Sequence, residues 1–276
     1  MTALAAGAGP GRIPLRFARD SALIAGRNLR VLRKNPGRLI YPLVQPLVML
    51  VMFVSVFGNL ALTGHAAGGG ASYREFLIPG IMIENATLTA PTSGLALLRD
   101  ASSGLADRFR SLPMSRAAVL IGRLITDAIV FATQATLLLA AGYGFGFRIH
   151  GGLPFALAAA IIAAAVAFGL AFAVLSAWLG LLIGDPETAE RVLFFPAIAV
   201  AFVSSAFAPV DLLASWMQPI ARVNPVSAAC AVIRSLATGG FATGSLGFPL
   251  LVLGCWVLGL FLVPGVLAVR RWQTPT

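Results

Sequence analysis

Apolar runs free of Asp, Glu, Lys and Arg recur along the chain: Leu39 to Tyr73, Ala128 to Phe147, Ile149 to Gly184, Val192 to Val210 and Ser235 to Val269. A sixth, Phe76 to Leu98, is interrupted by Glu84 alone. A bilayer-spanning helix needs roughly 20 apolar residues. The pattern therefore predicts an all-α polytopic membrane protein with six transmembrane helices, at about 39–60, 76–98, 117–146, 153–184, 191–208 and 246–269. Residues 1–38 form an N-terminal region ahead of this domain, 39–269 the domain itself, and 270–276 a tail.

Before the first run the periodicity changes. Wound as a helix, Arg16, Arg19, Arg27, Arg30, Arg33 and Lys34 gather on one side, and Phe17, Ile24, Leu29, Val31 and Leu32 on the other. Leu23 is the apolar exception. Such a segment is expected to lie flat in the interface as an amphipathic helix, stopped by Asn35-Pro36-Gly37. It is either a basic tail that only sets topology or an interfacial helix that also touches a soluble partner. Between the last two spans, Pro209 to Ser245 is too polar for a span and too apolar for a loop. It reads as two short helices broken at Asn224-Pro225, an exterior re-entrant pair whose irregular backbone is sheltered by protein.

Composition supports the membrane assignment. Of the 276 residues 58% are hydrophobic and 11% charged, with a mean hydropathy of +0.90, whereas soluble domains carry about 25% charged residues. The net charge of +10 and pI near 11.3 do not indicate nucleic acid, because the basic residues sort by membrane side. With the N-terminus inside, only Arg74, Arg148, Arg222 and Arg234 of the 20 basic residues fall outside. The positive-inside rule then puts both termini in the cytoplasm. One lysine among many arginines, with abundant Ala and Gly, suggests a GC-rich bacterial genome and hence a bacterial inner membrane. The first apolar run follows eight basic residues, which predicts a retained first span. Cys230 and Cys255 give no disulfide framework, and Cys255 reads as a small packing residue.

Little in the chain can do bond chemistry. A P-loop needs a lysine before Ser or Thr; the single lysine, Lys34, precedes Asn-Pro. ATP and Mg, if used, must belong to another polypeptide. His65 and His150 lack ligand-spaced partners, so no metal or other cofactor is expected. The sequon Asn85-Ala86-Thr87 falls inside a span and is accidental. Glu84 lies eight residues beyond Phe76, about 12 Å into the membrane at 1.5 Å per residue. A lone carboxylate there costs roughly 2.5–3.5 kcal/mol on insertion scales, so it is protonated, paired or facing a wet cavity. With Gln45, Asn85, Ser204 and Ser205 it makes up the candidate substrate path or set of intramembrane polar contacts. Arg123 and Asp127, four apart on one helix face, read as a structural ion pair. Gly180 and Gly184 read as helix packing.

The most informative polar segment connects the second and third spans. Asp107, Arg108 and Arg110 sit within one helical turn around Phe109, and Ser111-Leu112-Pro113 ends it. An aromatic anchor between guanidinium groups suits docking into a groove rimmed by carboxylates. The wording DRFRSLPMSRAAVLIGRLITD, Asp107 to Asp127, resembles the cytoplasmic loop of type-2 ABC exporter permeases, the daunorubicin/doxorubicin-resistance family in particular. PLVQPLVMLVMFVSVFGN from Pro42, FLIPGIMIENA from Phe76, and the stretch from Gly184 to Gly240 are similar to the same family in the same order. Relatives tend to carry an uncharged polar residue where Glu84 stands.

The resemblance implies a permease subunit that pairs with a second copy, identical or homologous, and with two separate ATPase subunits. Asp107–Pro113 would then be the cytoplasmic coupling helix, and a hydrophobic or amphipathic compound, an antibiotic or a lipid, would leave the cell. Three rivals are weaker. A proton-coupled secondary transporter usually places several ionisable groups in its spans; a polysaccharide or glycolipid exporter of the same superfamily would have more polar spans; a membrane enzyme would need clustered His, Asp or Cys.

Overall fold

The computed structural model describes residues 12–57, 73–102, 116–150, 152–238 and 247–273. Among them every regular element is helical: α1 Arg12–Lys34, α2 Gly37–Phe57, α3 Tyr73–Ser102, α4 Arg116–Gly144, α5 Pro154–Ile183, α6 Pro186–Phe202, α7 Gln218–Val223, α8 Pro225–Thr238 and α9 Gly247–Gln273. A single 3-10 turn, Val210–Leu212, precedes α7. Within α2, α4, α5 and α9 lie stretches long and apolar enough to cross a membrane: Ile40–Phe57, Ala118–Gly144, Pro154–Ile183 and Gly247–Ala268.

The other two expected spans, α3 and α6, differ for separate reasons. α3 is 30 residues long but more polar, and it sits at the centre of the bundle against α2, α4, α5, α6 and α8. Protein replaces lipid around it, so its side chains need not be greasy. Leu77, Ile83, Glu84, Thr87 and Ala90 are all fully buried. Glycines let the neighbours close in. A Cβ on Gly94 would lie 2.2 Å from the Ser176 carbonyl oxygen of α5, and one on Gly80 would lie 1.9 Å from that of Ala206. Both obstacles are backbone, which cannot step aside as a side chain can. Gly94→Ala is therefore expected to cost about 2–3 kcal/mol through overpacking, seen as a lower melting temperature and less monodisperse protein at unchanged membrane insertion.

α6 is only 17 residues long and begins and ends earlier than the expected 191–208. Its start is set by Asp185, whose side chain accepts the Thr188 N–H at 2.8 Å, with Pro186 in the first turn. That arrangement favours helix initiation, and the hydrogen bonds from Thr188 hold the Asp185 carboxyl below its usual range. α5 stops one residue earlier, where Gly184 caps it with a φ of 76° and its N–H on the Gly180 carbonyl at 3.1 Å. Gly184 is thus a helix stop, a correction to the packing role expected for it. Gly180 does pack as expected, since a Cβ there would lie 3.1 Å from the Gly94 carbonyl oxygen.

The first helix runs across α4, and Gly122 marks the crossing. A Cβ there would lie 2.7 Å from Ile24 Cβ and 2.8 Å from the Ser21 carbonyl oxygen. Ser21, Ile24 and Ala25 are buried, while Arg19, Arg30, Arg33 and Lys34 are exposed, as the amphipathic pattern predicts. The buried stripe is narrower than expected: Val31, assigned to the apolar side, is 40% exposed. The Arg16 side chain falls outside the described residues, as does His65. Cys255, expected to pack, is exposed on α9.

Candidate functional site

Three polar layers interrupt the apolar bundle, and each is built around α3. In the first, Glu84 on α3 accepts a hydrogen bond at Oε1 from Gln45 Nε2 of α2 at 3.1 Å. Its Oε2 is buried without a partner, and no ion pair to Glu84 occurs among the described residues. One turn position along, Asn85 Nδ2 donates to Gln134 Oε1 of α4 at 3.1 Å, leaving the buried Gln134 Nε2 unpartnered. Gln45, although bonded to Glu84, remains exposed. Glu84, Asn85 and Gln45 thus share one level of the bundle. Gln134 belongs to the same level and was missed, although a lone amide amid VFATQATLLL was signal enough.

The second layer lies near the opposite end of α3. Arg123 Nε sits 3.1 Å from Asp127 Oδ1, the expected i,i+4 pair. Ser93 of α3 donates to Asp127 Oδ2, so the pair clasps α3 as well as its own helix. Burial explains the arrangement: a carboxylate almost wholly removed from water needs several donors. At the same end, Arg27 of α1 pairs with Asp100 of α3 at 3.1 Å, and Arg99 lies 3.8 Å from Glu190 of α6. The ends of α1, α3 and α6 are joined there by charge. Residues 103–115, which include the predicted docking turn Asp107–Pro113, lie outside the described residues.

The third layer is the break after α6. Residues 203–208 leave the helix, and their polar groups are met by Asn224 between α7 and α8, by α8 and by the turn itself. Asn224, between α7 and α8, donates through Nδ2 to the carbonyls of Val200 at 2.8 Å and Val203 at 2.7 Å, and accepts the Val226 N–H at 2.8 Å. The Ser227 hydroxyl accepts the Ser205 N–H at 2.9 Å. The Ser204 hydroxyl donates to the Ala201 carbonyl at 2.6 Å and accepts the Ala206 N–H at 3.1 Å.

Arg234 on α8 completes this layer. It donates from Nη2 to the carbonyls of Ser205 at 2.7 Å and Ala206 at 3.2 Å, and from Nε to that of Phe76 at 3.0 Å. Its guanidinium lies 3.5 Å over the Phe76 ring. Ser204 and Ser205, grouped by sequence with the candidate substrate path, are occupied in holding this turn. Sequence reasoning treated Arg234 as one more exterior charge and Asn224 only as a helix break. Their role as anchors depends on contacts spanning up to 158 positions, which no local pattern carries.

Among the described residues no group of three or more His, Cys, Asp or Glu could hold a metal ion. What the polar layers can do is position helices and admit polar or charged groups at defined depths. A long, buried, more polar central helix surrounded by helices apolar enough to cross a membrane is the architecture of a multi-pass membrane protein. The family model for the ABC-2 type transporter matches residues 21–237, and the chain belongs to that family. It is 28% identical to the daunorubicin resistance ABC transporter permease protein DrrB1 of Streptomyces coeruleorubidus over 265 residues, 95% of this chain and 90% of the relative. Identity to the probable doxorubicin resistance ABC transporter permease protein DrrC of Mycobacterium tuberculosis (strain CDC 1551 / Oshkosh) is 29% over 266 residues, 95% and 87% of the two chains. With the putative transport permease ycf38 of Cyanophora paradoxa it is 24%, over 80% of this chain and 74% of the relative. The chain is a membrane permease subunit of an ABC exporter.

Proposed function

We propose that the chain pairs with a second permease copy, identical or homologous, and with two ATPase subunits to export a hydrophobic or amphipathic compound, an antibiotic or a lipid, across a bacterial inner membrane. The observation that carries this reading is similarity over 95% of the chain to permeases named for daunorubicin and doxorubicin resistance. The sorting of basic residues supports cytoplasmic termini. ATP and Mg act in the partner, and the permease itself carries no cofactor. Docking falls to Asp107, Arg108, Phe109, Arg110, Ser111, Leu112 and Pro113, with α1 and its basic residues Arg16, Arg27, Arg30, Arg33 and Lys34 lying along the inner interface. The broad apolar exposure of α2, including Val44, Val48, Met52 and Val56, suits contact with the second permease or with lipid.

The test is reconstitution with the candidate ATPase in inside-out vesicles, following uptake of a fluorescent anthracycline. Uptake that needs ATP and both subunits is expected; steady transport by the permease alone would overturn the reading. Glu84 and Gln45 would meet a polar group of the cargo: Glu84 keeps one unpartnered oxygen, and Gln45, bonded to it, is exposed. Glu84→Gln preserves volume and a hydrogen bond to Gln45 but removes the carboxylate. It is expected to lower export of a cationic amphipath about tenfold while sparing an uncharged one, the two cargoes being assayed in parallel. Equal export of both at wild-type rates would leave Glu84 a packing residue.

A further inference from the structure

A cleft of about 620 Å³ opens between α1, the first turns of α2, the second half of α3 and the first half of α4. That volume is in the range of small-molecule sites, roughly 300–1,000 Å³. Its walls divide by character. Val31, Leu32, Pro42, Val130 and Phe131 form an apolar part, whereas Thr89, Thr92, Ser93 and Thr126 supply hydroxyls beside the arginines. Three guanidinium groups, Arg27, Arg99 and Arg123, line it against two carboxylates, Asp100 and Asp127.

The disposition of Arg123 selects the ligand. Only its Nε is engaged, with Asp127 and Ser93, so among the described residues neither terminal nitrogen has a hydrogen-bond partner. The side chain is nonetheless only 21% exposed. A partly buried guanidinium with unused terminal donors, beside the threonine hydroxyls of the same cleft, suits a planar or tetrahedral oxyanion. Val31 and Tyr41 line the same opening and are 40% and 78% exposed. An anionic head with an apolar tail would satisfy the arginine and cover these two residues together.

The geometry points to a phospholipid site in this cleft, with the phosphate on Arg123 and the glycerol and upper acyl chain along Tyr41, Pro42 and Val130. The site lies within one permease copy, under the edge of the interfacial helix. It rests on the chain being a membrane protein, and not on the cargo or the docking turn proposed above. Its failure would leave those readings untouched.

The experiment is native mass spectrometry of the delipidated full-length chain in complex with its ATPase partner, titrated with phosphatidylglycerol, with diacylglycerol of the same acyl chains, and with inorganic phosphate as competitor. Phosphatidylglycerol should bind and diacylglycerol should not. Arg123→Gln should weaken phosphatidylglycerol binding about tenfold or more, the scale of one charge-assisted hydrogen bond. Because Arg123→Gln also leaves Asp127 with less support, Thr92→Trp provides a second variant. It fills the cleft from an exposed position, leaves the Arg123–Asp127 pair in place, and should give a comparable loss. Equal binding of diacylglycerol, or undiminished phosphatidylglycerol binding in the Thr92→Trp protein, would overturn the site. Full displacement of the lipid by millimolar phosphate would identify a free phosphate as the occupant and overturn the lipid assignment.

Discussion

Replacing Arg234 by methionine is expected to lower stability by at least about 3 kcal/mol and to abolish export, the largest structural effect of any single substitution outside the glycine contacts. The reason is the number of groups that depend on one side chain. Its guanidinium satisfies the carbonyls of Phe76, Ser205 and Ala206, and hydrogen bonds to a charged group are worth about 1.5–3 kcal/mol each. Methionine keeps the apolar stem and the contact with Phe76 but removes the donors to carbonyls of the buried residues Phe76, Ser205 and Ala206. An unsatisfied backbone group costs more in such surroundings than at a wet surface. Arg234→Lys should recover part of the loss, since one ammonium can reach one or two of the carbonyls but cannot reproduce the fork. Thermal unfolding of the purified variants, with hydrogen exchange at 203–208 and 225–238, gives the measurement. An Arg234→Met protein with wild-type melting and unchanged exchange would show that the turn is held by Asn224 and Ser227 alone.

The same layer shows what could be read from sequence and what could not. Helices came from apolar runs, because in a bilayer the length and greasiness of a segment nearly determine its state. The break at Asn224-Pro225 was also legible, since proline restricts the residue before it. The end of α6 was not. Val203 to Ala208 is apolar enough to continue a helix, and it leaves the helix where Asn224, Ser227 and Arg234 take up its polar groups. Those partners are 20 to 30 residues away in sequence. Polar residues inside spans were visible individually. Which of them meet was not, because Gln45–Glu84, Asn85–Gln134 and Ser93–Asp127 each join different helices.

The polar layers also account for the unusual composition of α3. A helix surrounded by lipid must be apolar all round, whereas a helix surrounded by five others can carry Glu84, Asn85, Thr87, Thr89 and Ser93 as connecting points. Each of these residues is buried. With the glycines at 80 and 94 they make α3 the element that touches both the turn after α6 and the charged end of the bundle. Gly80 touches Ala206 directly, and Asp100 pairs with Arg27 of α1.

Phe109→Ala combined with Arg110→Ala is expected to reduce ATP-driven export by about tenfold or more while ATP hydrolysis by the partner continues at its basal rate. Interface anchors of this kind are typically worth about 2 kcal/mol or more when truncated, and aromatic and arginine side chains predominate among them. The structural setting explains why the loss should appear as uncoupling rather than as unfolding. The segment joins α3 and α4 where α1 is clamped to both, to α3 through Arg27–Asp100 and to α4 through the close approach at Gly122. Arg99–Glu190 adds α6 to the same end. If the motor pushes on the segment between Ser102 and Arg116, the displacement would reach α3 and α4 directly and α1 and α6 through these ion pairs and the Gly122 contact. Membrane insertion and melting temperature should stay within error of wild type, and cargo should no longer stimulate hydrolysis. Wild-type export by the double variant in vesicles would refute the docking role, and loss of the folded chain would show that the segment supports the bundle instead.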